Sequence, residues 1–163
     1  MSRELSRLWS PWRETYVVSQ RPKGCIFCTK PKSRNDAKQL ILRRARRTFS
    51  MLNLYPYNNG HLLIAPYRHV GDIEKLTGAE ASELMIEAQA AVKVLKKILR
   101  PDGFNIGFNV GKLAGASYGK HLHLHVVPRW KSDTNFMPVI CHTRVISQSL
   151  RKLYTRWKAY GHR

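Results

Sequence analysis

The sequence predicts a single α+β domain, with a mainly antiparallel sheet of about five strands, a long helix and a C-terminal helix. Short apolar runs bounded by turn residues indicate the strands, and two stretches with apolar residues at helical spacing indicate the helices. No internal repeat or linker divides the 163 residues. We therefore expect residues 25–163 to form the domain and residues 1–24, which are irregular and aromatic, to form an N-terminal arm.

Three strands are predicted before the long helix. Leu40–Leu42 and Thr48–Leu54 are apolar runs joined by the basic turn Arg43–Arg47. The segment Asn58–Gly60 is a strong turn signal, and the apolar run His61–Pro66 follows it directly. These features predict an antiparallel meander.

Capping residues and the periodicity of apolar residues predict two helices. Thr77 and Glu80 have the spacing of a capping box, in which each side chain satisfies a backbone donor of the other residue. The helix that begins there should end before Pro101, because proline cannot continue it. A second apolar stripe predicts a last helix from about Val145 to Tyr160.

The last two predicted strands are Phe104–Val110 and His121–Pro128, with a glycine-rich loop between them. Because successive side chains of a strand point to opposite faces, His121, His123 and His125 should share one face. Clustered titratable groups mark functional sites, and neutral imidazole can attack phosphorus near neutral pH. The flanking imidazoles could then bind phosphate oxygens or protonate a leaving group. The alternatives are a histidine-rich edge strand without chemistry and histidines that are merely buried and hydrogen-bonded in the core.

The formal net charge of +19 favours anionic ligands, among them nucleotides, oligophosphates and nucleic acid. A surface that is merely well solvated is the alternative. No apolar run approaches the roughly 20 residues that span a bilayer, so no membrane partner is expected. The chain's 3 cysteines do not form a disulfide framework, which suits a reducing compartment and predicts a cytoplasmic protein.

Two motifs resemble those of the histidine triad (HIT) superfamily. They are the run His121-Leu-His-Leu-His125-Val-Val and the block Asn59-Gly60-His61 that leads to Pro66-Tyr-Arg-His69. The wider pattern is similar to the bacterial branch that contains diadenosine tetraphosphate phosphorylases, also called ATP adenylyltransferases. That pattern comprises Leu8–Arg13, Leu52–Tyr57 and Pro128–Trp130. The resemblance implies a nucleotidyltransferase that cleaves dinucleoside polyphosphates through a nucleotidyl-histidine, with inorganic phosphate as acceptor.

The resemblance also implies roles for the residues that should contact the phosphates. His123 would be the nucleophile that attacks the α-phosphorus, and His125 would contact the α-phosphate. Ser117 lies near the position of the leaving-group donor, although its spacing to the histidines differs by one residue from that of many relatives. In the same loop, Gly115 would let backbone N–H groups approach a phosphate, and Lys120 would add a donor.

The nucleoside contacts implied by the resemblance lie earlier in the chain. Asn53 matches the position that binds ribose hydroxyls, Leu54 would line the base pocket, and Asn109 would bind phosphate. His61 would support the nucleotide, with a buried structural histidine as the alternative.

Cys25 and Cys28 have the Cys-x-x-Cys spacing of a zinc half-site, with a metal-free dithiol as the alternative. The resemblance supplies His69 and His121 as the remaining ligands of a closed, structural zinc site. The resemblance is also compatible with Mg²⁺ that binds together with the substrate.

Several alternatives remain open from the sequence. Water could replace phosphate as acceptor and make the protein a hydrolase, and other members of the superfamily are purine nucleoside phosphoramidases. A non-enzymatic reading is a basic zinc-containing module that binds nucleic acid through Arg43–Arg47 and the last helix. The resemblance further implies a homodimer formed through the long helix and the neighbouring strand.

Overall fold

A computed structural model describes residues 24–114, 121–131, 133 and 148–160, so the arm predicted at residues 1–24 lies outside it except for Gly24. The strands of the described residues are β1 (Ile41–Arg44), β2 (Thr48–Leu52), β3 (Leu62–Pro66), β4 (Gly103–Phe108) and β5 (Leu124–Arg129). They form one sheet in the order β1-β2-β3-β5-β4, and each neighbouring pair is antiparallel. The α-helices are α1 (Ile26–Thr29), α2 (Asp36–Gln39), α3 (Gly78–Leu99) and α4 (Leu150–Tyr160). Short 3₁₀ turns occupy Lys30–Lys32, Ile73–Lys75 and Lys112–Ala114.

The predicted α+β fold is confirmed, and the differences concern where strands begin and end. β1 continues through Arg43 and Arg44, which pair with β2, so the predicted basic turn is shorter. β5 begins at Leu124 rather than at His121, because the Leu122 amide donates to the Val70 carbonyl outside the sheet ladders. The predicted start of the last helix at Val145 lies outside the described residues.

The sheet separates two apolar cores. On one face, α3 and α4 cover a cluster to which the strands contribute Leu62, Leu124 and Val126. On the other face, Phe27 packs with Leu63 and other strand residues. The two faces therefore have distinct roles, since β5 sends Leu124 and Val126 to the helices and His125 to the opposite side.

The long helix begins and ends where its sequence requires. Thr77 Oγ1 accepts from the Glu80 amide at 3.2 Å and Glu80 Oε2 accepts from the Thr77 amide at 2.9 Å, which confirms the capping box. Arg100 adopts a left-handed φ of 51° directly before Pro101 and ends the helix. No helix among the described residues is long and apolar enough to span a membrane.

Gly60 fixes the tight turn before β3. Its φ is +78°, and a Cβ there would lie 2.5 Å from Leu99 Cδ1 and 3.0 Å from Pro128 Cγ. We expect Gly60→Ala to lower the free energy of unfolding by about 2–4 kcal/mol, from backbone strain and overpacking combined. Urea unfolding checks this, with Gly78→Ala as control because a Cβ at Gly78 meets nothing within 4 Å. An equal change in both variants would contradict the expectation.

Candidate functional site

The three histidines of the motif meet on the sheet face opposite α3 and α4. His125 lies between Leu63 of β3 and Gly107 of β4, in the middle of the sheet. The rings of His123 and His125 are 4.8 Å apart, and both residues are 8% exposed. His61, directly before β3, brings a fourth imidazole to 5.1 Å from that of His125. The structure thus brings together four of the histidines that the sequence motifs singled out.

A chain of hydrogen bonds fixes the protonation pattern of His61. The Tyr57 amide donates to His61 Nδ1 at 3.0 Å, and Asn53 Nδ2 lies 3.2 Å from the same atom. The Asn53 amide is oriented by its Oδ1, which accepts from the Tyr55 amide at 3.0 Å. His61 Nδ1 is therefore an acceptor, and the proton of the neutral ring must lie on Nε2.

His61 in turn determines which nitrogen of His125 carries the proton. His61 Nε2 lies 2.9 Å from His125 Nδ1, so it donates to that atom and leaves the His125 proton on Nε2. Within the described residues, this buried His125 Nε2–H has no hydrogen-bond partner. A buried donor without a partner is rare, and here it indicates a position for an anionic oxygen.

Burial keeps the imidazoles neutral near pH 7. Desolvation, together with the neighbouring imidazoles, lowers the pKa of His61 to about 3 and that of His125 to about 4. Burial also lowers the pKa of His123, opposed by the hydrogen bond to the His121 carbonyl. The tautomers assigned to the neutral rings therefore apply at physiological pH.

His123 presents the opposite pattern to His125. Its Nδ1 lies 2.9 Å from the His121 carbonyl oxygen and must donate to it, so Nε2 carries a free lone pair. The fully buried ring of Phe27 stacks on that of His123 at 4.6 Å and an angle of 28°. The site therefore combines a nucleophilic nitrogen on His123 with an N–H donor on His125.

Two aromatic residues of the site were missed by sequence reasoning. Phe27 lies between Cys25 and Cys28. An aromatic residue at that position was the feature of the sequence that could have identified it as part of the site. Tyr57 is 49% exposed and lies nearly parallel to the His125 ring, at 5.6 Å and 11°. An aromatic residue shortly before the Asn-Asn-Gly turn was the signal there.

A second cluster adjoins the histidines and fits a metal ion. The ligand atoms of Cys25, Cys28, His69 and His121 all lie within 4.8 Å of one another. Cys25 Sγ is 3.2 Å from His121 Nδ1, and Cys28 Sγ is 3.2 Å from His69 Nδ1. His121 Nε2 donates to the Pro66 carbonyl at 3.0 Å, which leaves Nδ1 available as a ligand. Two thiolates and two imidazoles are a donor set that zinc prefers.

The remaining predicted site residues are distributed around the histidines. Asn53 follows β2 and its amide contacts His61, while Leu54 beside it is 49% exposed. Asn109 follows the end of β4, where Phe108 pairs with Leu124 at the start of β5. Gly115, Ser117 and Lys120 lie outside the described residues.

Fold and site together define a histidine triad protein, and the comparison with family models agrees. Residues 34–132 match the model of the HIT domain, so the chain belongs to this family and the resemblance seen in the sequence is confirmed. It is 42% identical over 166 aligned positions to AP-4-A phosphorylase of Mycobacterium tuberculosis, covering 94% of this chain and 85% of that protein. It is 35% identical over 86 residues to bis(5'-adenosyl)-triphosphatase of Dictyostelium discoideum, covering 53% of this chain and 57% of that protein.

Solved structures share the fold. A zinc-bound histidine triad family protein from Mycobacterium smegmatis superposes with a TM-score of 0.69 at 24% identity, covering 85% of this chain and 93% of that one. The NitFhit protein of C. elegans gives a TM-score of 0.61 at 26% identity, covering 74% of this chain and 27% of that one.

Proposed function

We propose that this protein is a nucleotidyltransferase that cleaves diadenosine tetraphosphate and similar dinucleoside polyphosphates, with inorganic phosphate as acceptor. The observation that carries the proposal is the pairing of a free His123 Nε2 lone pair with a free, buried His125 Nε2–H. One group can attack phosphorus while the other binds an oxygen on the same phosphorus. The AP-4-A phosphorylase that is 42% identical over the aligned positions supports the same substrate class.

The reaction proceeds in two displacements. His123 Nε2 attacks the α-phosphorus, the bond between that phosphorus and the bridging oxygen breaks, and ATP leaves. The His125 Nε2–H binds a non-bridging oxygen of the transferred group. The imidazolium formed on His123 strengthens the bond from its Nδ1–H to the His121 carbonyl, so this bond favours the transition state over the ground state. A phosphate oxygen then attacks the nucleotidyl-histidine, releases ADP and restores the neutral ring.

The acceptor is tested by product analysis on diadenosine tetraphosphate with and without inorganic phosphate. We expect ATP plus ADP, formed only when phosphate is present. ATP plus AMP in both conditions would instead identify a hydrolase that uses the same histidine. If neither pair forms, the purine nucleoside phosphoramidase reading is tested next with an adenosine phosphoramidate.

The lowered pKa values predict an unusual pH profile. Because the pKa of His125 is about 4 and that of His61 about 3, the neutral tautomers persist well below the ordinary histidine pKa. Burial also lowers the pKa of His123, so we expect kcat/KM for ATP release to stay constant from about pH 8 through pH 6.5 and to fall only at lower pH, as the imidazoles gain protons. An inflection near pH 6.5, the ordinary histidine value, would contradict this assignment.

The cluster of Cys25, Cys28, His69 and His121 is proposed to hold a structural zinc ion. With four protein ligands the ion would have no open position, so its role would be to tie the start of the domain to the histidine run. The pKa of Cys28 is raised by burial and by Cys25, which a bound cation would reverse by favouring the thiolate. Reduced thiols of this kind suit the cytoplasm.

A homodimer through the edge of the sheet is also proposed. Among the described residues β4 pairs only with β5, so its other edge is free to pair with a second copy. Ile106 on β4 is 46% exposed, and Met85 and Ile86 on α3 are 54% and 58% exposed. Sedimentation velocity tests this, and Ile106→Lys should shift the distribution toward the monomer.

A further inference from the structure

The two helices that cover the sheet face opposite the histidines carry 7 of the chain's 29 lysines and arginines. Six of the 10 acidic residues are in ion pairs with a nearby lysine or arginine: Asp36, Asp72, Glu80, Glu83, Glu87 and Asp133. After Glu87, α3 contains no acidic residue, and α4 contains none at all. The exposed cations of this helical layer, meaning α3 and α4, are Lys93, Lys96, Lys97, Arg151 and Lys152. The part of α3 that follows Glu87 and the whole of α4 therefore present cations with no acidic residue on the same stretch of helix.

A cavity of about 330 Å³ opens at the border of the helical layer, between α3, α4 and strands β1 and β2. Val94 and Trp157 are among its apolar lining residues, and Arg43 and Lys158 add positive charge. The volume is at the lower end of the range for small-molecule sites and suits a nucleoside better than a larger ligand. The cavity is separated from His123 and His125 by the sheet itself.

The side chains of Glu87 and Ser50 line this cavity, and neither has a hydrogen-bond partner among the described residues. Glu87 is 3% exposed, and within the described residues its carboxylate accepts no hydrogen bond, the Arg43 guanidinium lying 3.5 Å away. The Ser50 hydroxyl is 2% exposed and makes no hydrogen bond to the described residues. Buried polar groups are normally hydrogen-bonded, so the cavity is complementary to a ligand that brings N–H donors.

We propose that the helical layer binds single-stranded nucleic acid, with phosphates on its lysines and arginines and one unstacked, amino-bearing base in the cavity beside Glu87. The exocyclic amine of adenine or cytosine supplies the donors that the carboxylate lacks. A chain of phosphates alone would supply only further acceptors. A single strand fits because its bases can turn outward, whereas those of a duplex remain stacked.

Fluorescence anisotropy with labelled 12-nucleotide oligo(A), carrying a 5'-hydroxyl, tests the phosphate contacts. In the double variant Arg151→Gln/Lys152→Gln, we expect the slope of log Kd against log salt to fall by about 1.4, because each lost single-strand phosphate contact contributes about 0.7. The matched control is Lys32→Gln/Arg34→Gln, which likewise removes one exposed lysine and one exposed arginine, here outside the helical layer. Equal slopes in the two double variants would overturn the proposal.

The base contact is tested by comparing oligo(A) with oligo(U). Oligo(A) should bind wild-type protein about tenfold more tightly, and Glu87→Gln should bring the ratio close to one, since an amide can both donate and accept. Equal affinity of wild type for both oligomers and for inorganic polyphosphate would overturn the proposal in favour of a general polyanion surface. A rise in KM for diadenosine tetraphosphate at saturating oligo(A) would also overturn it, because binding would then lie at the histidines. These binding measurements do not depend on turnover, so they remain decisive if the proposed reaction is wrong.

Discussion

Replacing His123 by alanine is expected to lower turnover of diadenosine tetraphosphate by about 10⁴-fold or more, because the reaction loses its nucleophile. The remaining groups can still bind and polarise the phosphate through His125, so substrate affinity should change far less than kcat. Steady-state kinetics on the purified variant measures both quantities. Turnover above a hundredth of the wild-type value would contradict a nucleotidyl-histidine on this residue.

A second variant separates the loss of turnover caused by the missing nucleophile from a loss caused by a less stable fold. Phe27 stacks on the His123 ring, so the alanine variant also leaves a small gap and should unfold somewhat earlier. His123→Gln keeps more of the volume and should restore the unfolding midpoint without restoring turnover. Mass spectrometry after an alkaline quench, which preserves the acid-labile bond between phosphorus and the imidazole nitrogen, should detect one adenylyl group on the wild type and none on either variant.

Replacing Cys25 by serine is expected to remove bound zinc and to destabilise the domain. The wild type should carry about one zinc ion per chain, measured by elemental analysis, and the variant close to none. A ligand that binds only the folded state at 1,000 times its Kd adds about 4 kcal/mol, so a loss of this order is expected in urea unfolding. Turnover should fall much less than in the His123 variant, because none of the ligand side chains touches the reacting phosphorus in the proposed mechanism.

Cys141 provides a matched control for the thiol itself. It lies outside the described residues and outside both sequence motifs, so Cys141→Ser removes a thiol without removing a proposed ligand. Zinc content that stays the same in the Cys25 and Cys141 variants would contradict the proposed metal site.

The sequence predicted the fold class and the face shared by the histidines, because both follow from periodicity. It could not assign the proton of each ring. His123 depends on a carbonyl two residues earlier, and His125 depends on His61, which is 64 positions away in the chain. The contact between His61 and His125 depends on how β3 and β5 align across the sheet, and the residues around either histidine do not reveal that alignment.

Asn53 illustrates the same limit for the substrate contacts. The resemblance assigned its amide to ribose, and that role stays a prediction, but the structure shows the amide hydrogen-bonded to His61 and to the Tyr55 backbone. Phe27 was invisible as a site residue because its partner, His123, lies in a distant segment of the chain. The sequence motifs thus identified the candidate site residues, whereas the residues that orient them became apparent only from the fold.

His121 links the two clusters through different parts of the same residue. Its ring faces the thiols, while its main-chain carbonyl accepts the proton of His123. A substitution at this position would therefore remove the proposed metal ligand and still retain the carbonyl that orients the His123 ring, since every amino acid carries the same main-chain carbonyl. The proposed metal site and the proposed reaction are therefore separable by mutation, although they meet in one residue.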